Sequence, residues 1–301
     1  MHKVYYDLLD RDPEVKSETY WSHDSGREKP EYDRFMHEKS RLISVSPIEM
    51  ADYVMLPVKW SNSLSSLQTN TLLEAKKHNK KIIAFFNDDY DGNIQTPTEN
   101  FYLFRTSTYA SKIRQNEIIM PAFCEEFEYV KPTEKALKNA VISFCGNVRD
   151  PHRYPIFAEL QKNYNLCKNF LYRNGFWAPE ISDKTLARKE FVANVRSGLF
   201  GICIRGNGNF SYRLYETLAL GRIPIIINSD LKLPLEKVIN WQRQAIICES
   251  HEIGELHNRI EQYIKNLNVL DICYENKLIY DEYFSPYGLI KHLELYLKET
   301  T

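Results

Sequence analysis

Long apolar runs are missing from this chain of 301 residues. No run approaches the roughly 18 apolar residues that a membrane-spanning helix needs. The segment from Met1 to Arg11 also carries charges where a signal peptide would be apolar. These absences predict a cytoplasmic protein, for which peripheral contact with the inner face of a membrane stays open.

An excess of charge of one sign is missing too. Lysine and arginine total 39 against 40 aspartates and glutamates, which gives a net charge of −1. A surface that binds a polyanion across the whole molecule needs an excess of positive charge. Nucleic acid is therefore not expected as a partner.

The pairings typical of disulfide scaffolds and metal sites are also lacking. The six cysteines form neither close metal-ligand pairs nor a dense disulfide pattern, so we expect free, mostly buried thiols in a reducing compartment. The histidines have no metal-ligand spacing, and no serine, cysteine or lysine is framed as a covalent nucleophile. A single displacement is the simplest mechanism for any group transfer.

Two successive series of strands and helices are present instead. Residues 51–57 and 81–86 read as buried strands around a helix at 64–78, and a second series begins near residue 140. The pattern predicts an α/β protein of two Rossmann-like lobes facing a central cleft, with 1–135 on the acceptor side and 136–301 holding the donor. The terminal helix, Leu289 to Lys298, is free to pack back on the first lobe.

The opening 35 residues are polar apart from a possible strand from Lys3 to Leu9. Aromatic residues stand in this polar setting, for example Tyr20 and Trp21, and aromatic faces suit sugar rings. They are acceptor-side candidates, although each could equally be an ordinary core or rim residue.

The stretch from Leu199 to Asn228 is the most informative part of the sequence. A short apolar strand breaks at a glycine-rich loop, a helix starts near Tyr212, and Gly221 stands where a left-handed cap would end it before the strand Ile223 to Ile227. Backbone N–H groups at such a strand–loop–helix junction suit a diphosphate. An ordinary βαβ crossover is the alternative.

Four stretches in this order resemble the exostosin family of inverting glycosyltransferases, which have the two-lobed GT-B fold. They are SPIEMADYVMLP at 46–57, FCGNVRDPHR at 144–153, the loop and R-x-x-E helix at 200–216, and GRIPIIINSDLKLPLEKVINW at 221–241. Together they cover residues 46 to 250 approximately. The order of four motifs is far more specific than any one of them.

The resemblance implies that cations neutralise the departing nucleoside diphosphate. Arg149, Arg153 and Arg213 are the candidates, and Glu216 would accept hydrogen bonds from ribose or sugar hydroxyls. A surface ion pair between Arg213 and Glu216 is the alternative. Arg205 stands where the family often has proline, and it either touches phosphate or reaches solvent. The expected donor-binding residues are Gly146, Arg149, Arg153, Arg205, Gly206, Gly208, Ser211, Tyr212, Arg213 and Glu216.

The catalytic base is less clearly marked, because the aspartate–histidine pair common in the family is not recognisable here. Asp88 and Asp89 follow a predicted strand of the first lobe and are the candidates to take the acceptor proton. A solvated acidic turn would look the same. Asp89-Tyr90-Asp91 also matches the metal-binding motif of GT-A enzymes, but the two-lobe pattern argues against that fold.

The sequence thus predicts a glycosyltransferase that transfers one sugar from a nucleotide donor, of UDP or GDP type, to a glycan or lipid-linked glycan. Inversion is implied by the resemblance alone, and no metal or cofactor is expected. We expect a role in surface polysaccharide synthesis. A nucleotide-sugar epimerase or hydrolase, and a non-catalytic nucleotide-sugar or glycan binding protein, remain as alternatives.

Overall fold

The computed structural model describes residues 2–6, 43–61, 66–97, 100–122, 124–175 and 178–299. The chain forms two compact units. The first contains Met1–Phe123, Lys232–Pro234 and Glu282–Thr301, and the second contains Cys124–Leu231 and Leu235–Asp281. The boundary expected near residue 135 falls inside the second unit, and the terminal helix is counted with the first.

The first unit is built on a parallel sheet. Its described strands are β1 (His2–Tyr6), β2 (Ile43–Val45), β3 (Tyr53–Lys59), β4 (Lys81–Phe86), β5 (Phe101–Arg105) and β6 (Glu117–Ile119), in the spatial order β2-β1-β3-β4-β5-β6. Helix α1 (Ser66–Lys77) connects β3 to β4. A parallel sheet needs such crossovers, and its central strands are buried on both faces.

The buried strands of this unit are apolar without alternation, as the sequence predicts. Four successive residues of β4, Ile82 to Phe85, are at most 3% exposed. Ile82 and Ala84 pack with Val54 and Leu56 of β3 and with Phe101 of β5. The acidic segment that starts at Asn87 therefore leaves the carboxyl end of a rigid strand.

The second unit has its own parallel sheet, in the order β11-β10-β9-β7-β8. Its strands are β7 (Ile142–Asn147), β8 (Lys168–Arg173), β9 (Phe200–Cys203), β10 (Ile223–Asn228) and β11 (Ile246–Glu249). The helices around them are α2 (Glu134–Lys138), α3 (Tyr154–Lys162), α4 (Lys184–Ser197), α5 (Tyr212–Ala219), α6 (Trp241–Gln244), α7 (Leu256–Asn266) and α8 (Val269–Ile279). A π-helix, Tyr280–Phe284, precedes α9 (Pro286–Glu299) of the first unit.

The predicted βαβ unit is present as β9, α5 and β10. Gly221 has φ +61° directly after α5, which confirms the left-handed cap. A side chain there would also collide with Tyr129, whose ring lies 2.5 Å from the position of a Cβ. Two α/β units, each with a parallel sheet, confirm the predicted fold class.

Part of the sequence-based prediction lies outside the described residues. The aromatic acceptor-side candidates Tyr20 and Trp21 belong to residues 7–42, which the structure does not describe, and the strand predicted from Lys3 is described as far as Tyr6. Over the part of the chain that is described, no helix is long and apolar enough to cross a membrane.

Candidate functional site

The carboxyl ends of β7, β9 and β10 bring the predicted donor residues of the second unit together. These strands are neighbours in a parallel sheet, so they end at the same edge. Gly146 ends β7 with Asn147, Arg205 follows β9, and α5 starts at this edge with Tyr212. Arg153 immediately precedes α3. The site is thus built from the ends of secondary structure elements.

Arg213 is the unusual residue of this edge. Its guanidinium carbon lies 4.6 Å from the ring centre of Phe144 and 5.1 Å from that of Phe191. Its Nε and Nη1 are buried, and neither has a hydrogen-bond partner among the described residues. The two rings offer cation–π attraction, but a buried donor without a partner costs about 1–3 kcal/mol. The guanidinium is thus held in place while two of its three nitrogens are buried without acceptors among the described residues.

A second guanidinium lies close to it. Arg153 donates from Nε to the carbonyl of Arg205 at 2.8 Å and from Nη1 to the carbonyl of Asn147 at 3.0 Å. Burial, together with repulsion from Arg213, lowers the pKa of Arg153 to about 10. Arg153 stays charged at neutral pH, so two positive charges lie close together. Among the described residues, neither guanidinium donates a hydrogen bond to a carboxylate.

Two glycines lie against these guanidinium groups. A Cβ at Gly146 would stand 3.3 Å from Nη2 of Arg213, and one at Gly206 would stand 3.4 Å from Nη2 of Arg153. Contacts of 3.3–3.4 Å are tight, so a side chain at either position would press on the guanidinium. Both predicted glycines therefore keep room for the arginines.

The amino terminus of α5 adds positive potential to the same place. Its N-cap, Ser211, is buried but makes no side-chain cap hydrogen bond, and the first turn contains no acidic residue. Tyr212 packs its ring 5.2 Å from that of Phe210. The first N–H groups of a helix lack intrahelical partners, and a cation in the first turn is unfavourable unless an anion binds.

Arg205 is buried and bonded within its own loop, so it does not reach solvent, and its contact with phosphate stays a prediction. It is only 8% exposed, and its Nη2 donates to the carbonyl of Asn207 at 2.8 Å. Its Nη1 points to Oδ1 of Asn209, which also accepts from Ser229 at 2.6 Å. The guanidinium closes the glycine loop on itself and joins it to the segment after β10.

Glu216 is paired, but with a residue that the sequence did not indicate. Its Oε1 accepts from Nη1 of Arg188 on α4 at 2.7 Å. The alternative was a surface pair between Arg213 and Glu216, but Glu216 is only 9% exposed and forms its ion pair with Arg188. Among the remaining candidates, Gly208 is buried in the loop and Arg149 is exposed, with its backbone N–H bonded to Oδ1 of Asn147.

Asp88 and Asp89 follow β4 in the first unit, at the carboxyl edge of that sheet. Oδ2 of Asp88 accepts from Nζ of Lys59 at 2.5 Å, and Oδ1 accepts from the backbone of Tyr90. Lys59 ends β3, the neighbouring parallel strand, which explains why the two meet. Asp89 is exposed. Asp88 is thus half-exposed and already paired with a cation.

A buried arginine holds the backbone of this acidic loop. Arg105 is 1% exposed and donates from Nη2 to the carbonyls of Tyr90 and Gly92, both at 3.0 Å. Its Nη1 pairs with Glu117 at 3.1 Å, and Glu117 also accepts from Arg114 at 2.8 Å. The loop therefore has a fixed shape behind its exposed carboxylates. Within the described residues, no three histidine, cysteine or acidic side chains are grouped as a metal site would require.

Several residues of these sites had no mark in the sequence. Arg188 and Phe191 stand in a helix that reads as merely amphipathic, and Phe144 reads as a strand residue. Lys59 and Arg105 act from strand ends. Lys59 and Arg105 could have been found from their positions, since charged residues at the end of an apolar strand lie close to those at the end of the neighbouring parallel strand.

Comparison with known proteins gives a family match over most of the chain. Residues 4–263 match the family model described as Exostosin GT47 domain. The probable glucuronoxylan glucuronosyltransferase IRX7 of Arabidopsis thaliana is 27% identical over 104 residues, which are 33% of this chain and 23% of that protein. Exostosin-1 of Bos taurus is 24% identical over 91 residues, covering 30% and 12%.

The chain spans less than a quarter of the length of these curated relatives. Among solved structures, a glycosyltransferase from Rickettsia africae ESF-5 aligns with a TM-score of 0.46 at 13% identity. That alignment covers 89% of this chain and 80% of the other.

Proposed function

The chain belongs to the Exostosin GT47 family, and from this premise we propose that it is a glycosyltransferase acting on a nucleoside diphosphate sugar. The acceptor is a glycan or lipid-linked glycan, and the proposed role is in surface polysaccharide synthesis. The observation that carries the proposal is the unsatisfied guanidinium of Arg213, held between aromatic rings at the start of α5.

The chemistry of the donor explains why such a group is needed. As the bond between the anomeric carbon and the diphosphate oxygen breaks, negative charge develops on the leaving group. Arg213 and Arg153 supply two positive charges, and the start of α5 supplies N–H groups. This arrangement supports charge neutralisation by protein groups, so a divalent metal is not an obligatory part of the proposal.

Transfer also needs a group that accepts a proton. In a single displacement the acceptor oxygen attacks the anomeric carbon, the bond to the diphosphate breaks, and the hydroxyl proton passes to a base. We propose Asp89 or Asp88 for this role, on the loop that Arg105 holds. Inversion at the anomeric carbon is the stereochemical consequence of one displacement.

The relatives suggest which donor to test first. The plant relative is named a glucuronosyltransferase, so UDP-glucuronic acid is the first candidate, followed by neutral UDP and GDP sugars. Calorimetric titration in the presence of EDTA tests the donor site. We expect UDP or GDP to bind without metal, and failure of every nucleotide to bind, or binding only with a divalent cation, would overturn the donor proposal.

A non-catalytic nucleotide-sugar binding protein is the second candidate. The ion pair between Asp88 and Lys59 favours it, because a carboxylate held by a cation is a weaker proton acceptor. Product analysis on a panel of oligosaccharide acceptors separates the possibilities. A glycosylated product with inverted anomeric configuration supports the transferase, free sugar indicates a hydrolase, an altered nucleotide sugar an epimerase, and donor affinity without turnover the binding protein.

A further inference from the structure

We propose that Arg188 is a positioning residue that keeps Glu216 from neutralising Arg213. The inference rests on the proposed function, since it concerns the availability of Arg213 to a diphosphate. Arg188 does not contact the donor in this account. It acts through Glu216, because it holds the Glu216 carboxylate in an ion pair and so keeps that carboxylate from pairing with Arg213.

Two pairs of residues on two helices create the arrangement. Arg213 and Glu216 are one turn apart on α5, and Arg188 and Phe191 are one turn apart on α4. Nη1 of Arg188 is 2.7 Å from Oε1 of Glu216, while the ring of Phe191 is 5.1 Å from the Arg213 guanidinium. On α4, Arg188 thus holds Glu216 of α5, and Phe191 contacts Arg213 of α5.

Arg188 is itself strongly fixed. Its Nε donates to Glu125 at 3.1 Å, and its guanidinium carbon lies 4.7 Å from the ring of Phe191 and 5.4 Å from that of Phe127. Burial alone would lower its pKa, but the carboxylates of Glu216 and Glu125 raise the pKa of Arg188 above its ordinary value. The cation is permanent and its side chain is 18% exposed.

The alternative partner of Glu216 would be Arg213. Opposite charges three residues apart on a helix attract each other. If Arg188 were absent, the Glu216 carboxylate would turn to the unsatisfied donors of Arg213, because Glu216 is buried and would lose its partner, while Nε and Nη1 of Arg213 are buried without one. That contact would occupy the N–H groups meant for the diphosphate and cancel their charge.

The same geometry leaves part of Glu216 available. Only Oε1 is engaged by Arg188, and no hydrogen bond from the described residues reaches Oε2. Arg188 therefore separates the two functions of the R-x-x-E helix: Arg213 keeps its donors for an anion, and Glu216 keeps one oxygen for a hydroxyl of the donor.

A double-mutant cycle tests the proposal. The dissociation constant of UDP or GDP, whichever binds the wild type, is measured for Arg188→Ala, Glu216→Gln and the double variant. We expect Arg188→Ala to weaken binding about tenfold, as for the loss of one charge-assisted contact. In the Glu216→Gln background it should have no effect, because glutamine carries no charge that could neutralise Arg213.

A merely structural role for Arg188 would weaken binding equally in both backgrounds, and that result would overturn the proposal, as would an Arg188→Ala variant with wild-type affinity. Arg243→Ala, which removes a two-pronged pair with Glu275 away from the site, is the matched control and should bind normally. If Arg188→Ala does not fold, Arg188→Met, which keeps an unbranched side chain without the charge, replaces it in the cycle, and a loss of affinity is expected only where Glu216 is unchanged. A wild type that binds neither nucleotide would instead overturn the proposed function.

Discussion

Residues 87–94 of the first unit form a loop, and residues 205–213 of the second form a loop and the first residues of α5. Both segments follow the carboxyl end of a buried parallel strand, yet their charged side chains are bonded differently. In the first loop, Asp88 is paired with Lys59, and the backbone is tied to the buried Arg105. In the second, Arg205 bonds loop oxygens, while Nε and Nη1 of Arg213 are buried without hydrogen-bond partners among the described residues.

The comparison separates charges that stabilise the fold from a charge that is available to a ligand. Arg105 and Arg205 donate from their terminal nitrogens to acceptors supplied by the chain, so these bonds exist before any ligand arrives. Nε of Arg105 is a single buried donor without a partner among the described residues. Arg213 has aromatic neighbours that fix its position but accept no hydrogen bonds. Buried polar groups are normally satisfied, and an exception calls for a functional explanation.

The largest effect should come from breaking the first loop. Arg105→Met removes the donors for Tyr90 and Gly92 and one partner of the buried Glu117. Breaking a buried pair on one side costs about 3–5 kcal/mol, so we expect a loss of unfolding free energy of that order. Urea denaturation measures it. An unchanged midpoint would show that the Arg105 network is not what holds the loop.

The second prediction concerns the unsatisfied charge. Arg213→Ala should weaken the binding of UDP or GDP about 100-fold, equivalent to about 2.7 kcal/mol, because the diphosphate loses its buried donors. Isothermal titration calorimetry provides the comparison with wild type. A loss of less than threefold would place the diphosphate elsewhere on the chain.

A third, smaller effect depends on pH and uses a buried group of the first unit. Burial lowers the pKa of His292 to about 4, and its Nε2 lies 3.0 Å from the carbonyl oxygen of Ile119. The folded state therefore binds fewer protons than the unfolded state between pH 6.5 and 4, and its stability falls as the pH is lowered through this range. From pH 7 to pH 5 the loss should be about 2 kcal/mol.

His292→Gln should flatten that part of the profile, although it also lowers stability at pH 7 through repacking. Urea denaturation at several pH values measures the difference between the two proteins. A profile in the variant as steep as that of wild type would assign the acid sensitivity to other groups.

The smallest effect is expected at an exposed pair. Arg243 of α6 and Glu275 of α8 form a bidentate ion pair, but both side chains are more than a third exposed. Solvent screens such a pair. Arg243→Ala should leave both nucleotide affinity and melting temperature without measurable change. A clear loss of either would contradict the view that an arginine must be buried for its ion pair to matter.

Predictions from the sequence were confirmed where a structural feature depends on a single helix or strand. The buried strands β4, β9 and β10 are continuous apolar runs, and Gly221 marks the end of α5 by the backbone it requires. The edge strand β8 was missed, because its residues are mostly half-exposed and lack an apolar run. Helix α8 was also missed, although its N-cap, Asn268, accepts from the backbone of Leu270 as such residues typically do.

The sequence predicted where in the chain the candidate site lies, but not which residues contact each other there. The strand–loop–helix pattern locates Arg213 and Glu216 on one helix, since their spacing is local. The partner of Glu216 lies 28 residues earlier on α4, and nothing in the spacing of charges within α4 distinguishes Arg188 from its neighbours. The burial of Arg205 could not be predicted for the same reason, because it depends on how the loop folds back on itself.

The most direct test compares Arg205 of the glycine loop with Arg213 of α5 in the ligand-free protein. Melting temperatures are measured for Arg205→Met and Arg213→Met, which remove the same charge from sites eight residues apart. We predict that Arg205→Met melts well below wild type, since it breaks the hydrogen bonds that close the loop, while Arg213→Met melts at or above wild type, since it removes buried donors that had no partner. Equal destabilisation by the two substitutions would contradict the claim that Arg213 is held for a ligand.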